Sequence, residues 1–371
     1  MSKPPLTPLA QSLPASVPFV GPETQERAAG RSFVARLGAN ENVFGPSPNA
    51  IAAMRAAADQ VWMYADPESH DLRDDLARHH GISPQNIMIG EGIDALLGYL
   101  VRLFIGPADA VVTSAGAYPT FNYHVAGYGG NLHAAPYVAD HEDPGALIDL
   151  AQKTNARLIY IANPDNPMGT WHSGNILSSM INALPSNCLL VLDEAYIDFA
   201  PDGTAPEIDA SCENVIRMRT FSKAYGMAGA RVGYAIGAVD NIAAFNKIRN
   251  HFGMNRIAVA GARAALADQN YLADVLDRVA KSKARIANIA AANGLIPIAS
   301  AANFVTLDGG RDGKFAIAIL DALVHCGIFV RMPFVAPQNR CIRVSAGTES
   351  QLDAFEQALP AAIADAKRSI P

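Results

Sequence analysis

Between residues 86 and 236, apolar runs of four or five residues alternate with longer stretches whose apolar positions fall three and four apart. The short runs predict strands at 86–89, 110–113, 158–162, 189–193, 215–219 and 232–236. The periodic stretches predict helices at 48–58, 71–80, 94–104, 119–128 and 174–183. Strands that alternate with helices imply an α/β fold with a mainly parallel sheet, covered on both faces. The run CLLVLDEAY shows this most clearly, apolar throughout until charge appears at its C-terminal end. Open α/β sheets bind ligands at that end, so the chemistry is expected just after the strands.

Near residue 250 the pattern changes. Helices are expected at 257–268, 274–292 and 349–366, with strands in NFVTLD and IRVSAG, and residues 241–255 lead into this region. Residues 1–35 are rich in Pro, Ser and Ala, lack periodicity and read as an extended arm. The expected organisation is an arm over 1–35, a large unit over 36–250 and a smaller α+β unit over 251–371.

The 371 residues, half of them hydrophobic and 17% charged, are ample to bury a large core. A net charge of −6 argues against general binding to nucleic acid or anionic membranes, while leaving room for a local basic pocket. No apolar run reaches the roughly 20 residues that a membrane span needs. The N-terminal MSKPPLTPLAQSLPASVP lacks the apolar centre of a signal peptide. Cys188, Cys212, Cys326 and Cys341 form no C-x-x-C pair and read as small hydrophobes in a reducing compartment. A cytoplasmic protein is expected, with no metal site.

Candidate chemistry sits at the strand ends. Lys223, in Thr220-Phe221-Ser222-Lys223, follows a strand, where burial near other cations lowers an amine's pKa and frees it as a nucleophile. Arg231 and Ser222 can grip a phosphate. Asp193 closes the strand LLVLD, and a carboxylate there needs a cation or donor, such as a pyridinium nitrogen. A magnesium ion is the rival partner, but it calls for a GK[ST] phosphate loop that the chain lacks. Asn166, in the turn NPDNPMG, can present an amide to a ring oxygen. Gly90-Glu91-Gly92-Ile93-Asp94 joins a strand to a helix N-terminus, an anion site in outline. An aromatic ring in YPTFNY can lie flat on a heteroaromatic ligand. Taken singly, each feature is as well explained by a surface residue, a cap or core packing.

Their order along the chain is more specific. LGANENVFGP, MYADP, GEGIDALL, YPTF, NPDNPMGT, VLDEAYIDF, RTFSKAYGMAGARVGY and RCIRVSAGT, spanning about residues 37–348, together resemble the fold-type I aminotransferases that use pyridoxal phosphate (PLP), and among these the histidinol-phosphate aminotransferase family. The resemblance implies a large domain with a mainly parallel seven-stranded sheet flanked by helices, and a smaller α+β domain. It implies that Lys223 holds the cofactor as a Schiff base and moves protons, with Asp193 on the pyridinium. Asn166 and Tyr196 would meet the phenolic oxygen and Phe121 would stack on the ring. Ser222, Arg231 and the backbone N–H groups of Gly92, Ile93 and Asp94 would hold the phosphate, joined by Tyr64 from the neighbouring subunit of a homodimer. Arg343 would clamp an α-carboxylate beside Asn40, with residues 36–47 contributing to the substrate site, and Arg331 would meet a distal anion. The implied reaction moves an amino group from a small-molecule donor to 2-oxoglutarate, with L-histidinol phosphate giving imidazole-acetol phosphate and glutamate. An aromatic or other amino-acid aminotransferase, a lyase or decarboxylase of the threonine-phosphate type, and a PLP-binding protein without catalysis are the alternatives. Departures from the family pattern are Ile93 in the phosphate turn, Phe19 after Pro18 in place of Tyr, and the segment MPFVAPQNR at 332–340.

Overall fold

Strands rich in Leu, Ile and Val gather where both faces can be covered. In the computed structural model, which describes residues 4–15 and 20–370, seven strands form one sheet. Their spatial order is Ile87–Gly90, Gly233–Gly237, Val215–Thr220, Leu189–Asp193, Leu158–Ala162, Ala110–Ser114 and Asn131–Ala135. Gly233–Gly237 runs antiparallel to both neighbours and every other pair is parallel. Six of these strands lie within a residue or two of the runs read from the sequence. Asn131–Ala135, the seventh, is an edge strand exposed over most of its length, so it carries no continuous apolar run.

Helix Pro144–Thr154 also escaped the periodicity reading. Its start is set by chemistry: the Asp143 carboxylate accepts from the Ala146 amide, and Pro144 occupies the first turn. Helix Gln269–Ala292 begins five residues earlier than expected, because Asp268 caps it by accepting from the Tyr271 amide. The arm is not wholly extended. Pro22 opens a helix at Pro22–Ala29, and Gly30, at φ 67°, closes it.

The C-terminal region builds a three-stranded antiparallel sheet, Cys341–Ser345, Phe304–Asp308 and Ile296–Ile298, which packs against helices Gln269–Ala292 and Gly313–His325, with Glu349–Ser369 packed on the latter. Two segments pack across the boundaries expected from the sequence. Ala35–Arg36 pairs in parallel with Ile328–Phe329, and Ala35 and Leu37 join the core around Phe315, Leu352 and Phe355. Conversely, helix Arg256–Ala267 buries Ala258, Ala262 and Ala265 with Leu72 and Leu76 of helix His70–His80 and with Phe221, just after strand Val215–Thr220. The site therefore lies where the large sheet's C-terminal edge meets strand Cys341–Ser345. Among the described residues no helix is long and apolar enough to cross a membrane.

Candidate active site

Strand Leu189–Asp193 is buried along its whole length, and its geometry delivers Asp193 into the interior. Asp193 is 5% exposed and forms no ion pair among the described residues. Its oxygens accept from the Tyr160 hydroxyl at 2.7 Å and the Ala195 amide at 2.9 Å. Burial pushes its carboxyl above the usual range, and those two donors pull it back. A further cationic donor would complete its surroundings.

Strand Val215–Thr220 ends beside it and sets up the turn that bears Lys223. The Lys223 amine donates to the Asn40 carbonyl at 3.1 Å and stands 5.4 Å from the Tyr196 ring centre. Its side chain is partly exposed, yet burial is the largest influence on the amine. Desolvation first, then Arg343 and Arg231, lower its pKa to about 8, against the pull of Glu41 and Asp193. An amine so tuned is partly neutral near neutral pH and can act as a nucleophile or a base.

Tyr196 is a hub. Its hydroxyl accepts from the Asn40 amide at 2.9 Å and from Asn166 Nδ2 at 3.5 Å, and burial pushes it up to about 12. Asn166 Oδ1 in turn accepts from Arg343 Nη1. Asn40, at φ 54°, is fixed by Ser345, whose hydroxyl accepts from the Asn40 amide at 3.0 Å and donates to its side chain.

The anion turn forms as the glycines require. Gly92 sits at φ 86° at the head of helix Ile93–Phe104, and a side-chain carbon there would lie 2.4 Å from Arg231 Nη2. A carbon at Gly233 would lie 2.8 Å from the Ile93 nitrogen, so the turn rests on the adjacent strand. Arg231 Nη1 reaches the Ser222 hydroxyl at 3.4 Å. A helix N-terminus, a guanidinium and a hydroxyl thus face one spot. Asp94 accepts a contact from His124 Nε2 at 2.8 Å.

Opposite the sheet, Arg331 and Arg343 are bridged through their backbones, Arg343 N donating to Arg331 O at 2.6 Å. Neither forms an ion pair among the described residues. Arg343 lies 5.1 Å from the Phe304 ring centre, its Nε is buried without a partner, and desolvation lowers its pKa. Arg331 Nη2 donates to the Val20 carbonyl of the arm at 2.5 Å.

Phe121 and Tyr64 make other contacts within the chain. Phe121 is fully buried and stacks on Tyr160 at 4.5 Å and 13°, one layer beneath Asp193, while the nearby Tyr118 keeps part of its surface open beside Asp94, Tyr196 and Asp193. Tyr64 is 77% exposed and packs on Phe252 at 4.8 Å, on the outer surface. Pro18 and Phe19 lie outside the described residues. Sequence reasoning missed Tyr160, Ser345, Glu142 and Asp165. Asp165 was in view within NPDNPMG, but only folding brings Glu142 to it.

These groups fit PLP part by part. A buried primary amine suits its carbonyl carbon, and the unpaired buried Asp193 suits a protonated ring nitrogen. Asn166 and Tyr196 suit a ring oxygen, and the Gly92 turn with Ser222 and Arg231 suits a phosphate, with a cradle that a Cβ at Gly92 would fill. Among the described residues no cluster of three or more His, Cys, Asp or Glu forms a metal site.

Known proteins place the chain in a family. The family model for aminotransferase class I and II matches residues 34–359. Histidinol-phosphate aminotransferase from Anaeromyxobacter sp. (strain Fw109-5) is 37% identical over 331 residues, covering 87% of this chain and 89% of its own. The Dinoroseobacter shibae enzyme of that name is 37% identical over 304 residues, covering 81% and 83%. The solved structure of histidinol-phosphate aminotransferase from Sinorhizobium meliloti in complex with pyridoxal-5'-phosphate is 53% identical, with a TM-score of 0.96 over 100% of this chain and 99% of that one. Aspartate aminotransferase from Thermus thermophilus, at 20% identity and a TM-score of 0.81 over 97% and 100%, shares the fold.

Proposed function

Since the chain belongs to the class I and II aminotransferases and, among them, to the histidinol-phosphate aminotransferase family, we propose that it transfers the amino group of L-histidinol phosphate to 2-oxoglutarate. The observation that carries this reading is the pair Arg331 and Arg343, two cations bridged through their backbones, neither of them ion-paired among the described residues. Such a pair suits substrates with a carboxylate or a phosphate close to the reacting carbon.

PLP, when bound, supplies a carbonyl carbon for the amine and a ring that takes up electrons as the Cα proton leaves. Lys223 holds the cofactor and, with a pKa lowered to about 8, takes and returns that proton. Asp193 keeps the ring nitrogen protonated; its own surroundings leave it short of a cation. Asn166 and Tyr196 hold the ring oxygen. Ser222, Arg231 and the amides of Gly92, Ile93 and Asp94 hold the phosphate. Phe121 supports the ring from below, through the layer it forms with Tyr160. Arg343 clamps the α-carboxylate of 2-oxoglutarate, with Asn40 fixing the pocket floor, and Arg331 takes the phosphate of the donor.

We further read the protein as a cytoplasmic homodimer with shared sites, with an arm over residues 1–35, a large domain over 36–250 and a small one over 251–371. Trp62, Tyr64 and Phe252 are 80%, 77% and 57% exposed, an aromatic patch that a second copy would cover while bringing Tyr64 to its phosphate. All four cysteines are free, as a reducing compartment keeps them.

The test is a donor panel with 2-oxoglutarate: histidinol phosphate against phenylalanine, tyrosine and leucine. Turnover of histidinol phosphate at least about tenfold above the others in kcat/KM is expected. Turnover of phenylalanine with none of histidinol phosphate would reject the substrate and keep the transaminase.

A further inference from the structure

Behind the substrate clamp lie two carboxyls that the reaction does not use. Glu142, in the loop before helix Pro144–Thr154, and Asp165, inside the NPDNPMG turn, are each 2% exposed. Four donors converge on them. The Ser114 hydroxyl and the Ala162 amide donate to Glu142 at 2.5 and 2.9 Å. The Tyr137 hydroxyl and the Met168 amide donate to Asp165 at 2.9 and 3.0 Å. The two carboxyls also lie close enough to interact with each other.

Ionised carboxylates only accept, so two carboxyls in contact can hydrogen-bond to each other only when one of them carries a proton. No ion pair with a Lys, Arg or His reaches either carboxyl among the described residues. The titratable groups that face the pair are Tyr137, Tyr160, Asp193, Tyr196 and Arg343, and His172 touches only the Glu142 backbone carbonyl, at 2.7 Å. Two adjacent anions in this setting cost far more than one anion and one neutral acid. Asp165 directly precedes Asn166, which donates to Tyr196 and accepts from Arg343.

We propose that Glu142 and Asp165 form a carboxyl dyad that shares one proton and one negative charge, and that this dyad positions Asn166 and Arg343 for the anionic group of the substrate. In support of the geometry, burial, with repulsion from Asp165 added, raises Glu142 well above the usual range, and burial raises Asp165 to about 7 against the pull of the Met168 amide, Tyr137, Glu142 and Arg343. The dyad acts through its neighbours: its donors lock the 163–169 turn from within, and its charge lies within reach of Arg343 and Asp193. The proposal rests on the aminotransferase reading only for what the positioned groups do, not for the state of the dyad.

Infrared spectroscopy tests that state directly. Wild-type protein at pH 7 is expected to show a protonated-carboxyl C=O band that both Asp165→Asn and Glu142→Gln lose, because either amide leaves one ionised partner. In the holoenzyme, the pH midpoint of the cofactor's visible absorption band should stay within about 0.2 unit in each single variant and fall by about half a unit in the double variant, which alone removes the charge. Equal stepwise falls in the singles would mean two separate anions; no fall in the double would mean a neutral pair; either overturns the dyad. Asp165→Ala should raise the KM for 2-oxoglutarate several-fold with a smaller change in kcat, and Asp165→Asn should restore it; a wild-type KM in Asp165→Ala refutes the positioning role. If the variants do not fold, wild-type protein with 13C-labelled Asp and Glu carboxyls decides the matter, since a spectrum without a protonated-carboxyl band overturns the dyad. A protein that takes up no PLP would defeat the aminotransferase reading while leaving the infrared result standing.

Discussion

The two halves of the active site are built differently. The cofactor half is assembled from strand ends of a single sheet: Asp193, Asn166, Lys223 and the Gly92 turn each follow a buried strand directly. The anion half is assembled from distant segments. Arg343 and Asn40, which share the bonds around Asn166 and Tyr196, are about 300 residues apart, and Arg331 is held by the carbonyl of Val20 in the arm. The first half is rigid because the sheet is. The second depends on how the C-terminal region docks on the large sheet, so substrate choice can vary there while the cofactor site stays fixed.

The comparison breaks most severely at Lys223. Lys223→Ala should abolish the visible band of the PLP-loaded protein and cut kcat by about 10³-fold or more. Retention of both would remove the amine from the cofactor half. Next comes Arg343→Ala, for which kcat/KM should fall roughly 10²-fold, for donor and acceptor alike, through loss of charge-assisted bonds. Arg331→Ala should sharpen the division within the anion half: a loss of about 30-fold for histidinol phosphate against under about threefold for phenylalanine. Equal losses would cancel its assigned role. Gly92→Ala should weaken PLP binding by about tenfold, measured by titration of the apoprotein, because the new methyl meets Arg231 at 2.4 Å in a left-handed backbone.

The smallest effect is a pH dependence. Lys223 has its pKa lowered from 10.5 to about 8, so the folded apoprotein releases this proton before the unfolded chain does. Between pH 8 and 10.5 the unfolded state binds the extra proton, and this residue's contribution to stability rises with pH across that window. The rate of PLP uptake by the apoprotein should climb through a midpoint near pH 8, and Asn40→Ala, which leaves the amine bond to the residue 40 carbonyl in place, should barely move that midpoint. A flat uptake profile from pH 7 to 9 would mean that the amine is not tuned by its surroundings.

Much of the cofactor half was legible in the sequence because strand ends are local features. An apolar run followed by Asp193, or by Thr220-Phe221-Ser222-Lys223, states both the strand and the side chain that leaves it. Gly92 announced its turn because only glycine tolerates a neighbour so close at that φ. Exposed strand Asn131–Ala135 and the capped helices at Asp143 and Asp268 were less legible, since an edge strand lacks a buried face and a cap moves a helix boundary that periodicity alone leaves open. The order of the motifs joined features that were individually ambiguous, and that order is itself a property of the sequence.

By itself, then, the sequence determined the α/β class, the strand-end positions of Lys223, Asp193, Asn166 and Gly92, and through the motif order the family. Only tertiary structure decided which groups face each other. It turned Phe121 against Tyr160, turned Tyr64 out to the surface, braced Asn40 with Ser345 and brought Glu142 beside Asp165. The reason is physical. A strand and its turn are fixed by contacts among near neighbours, whereas the burial of a carboxyl or the pairing of two cations depends on segments that meet only once the chain has folded.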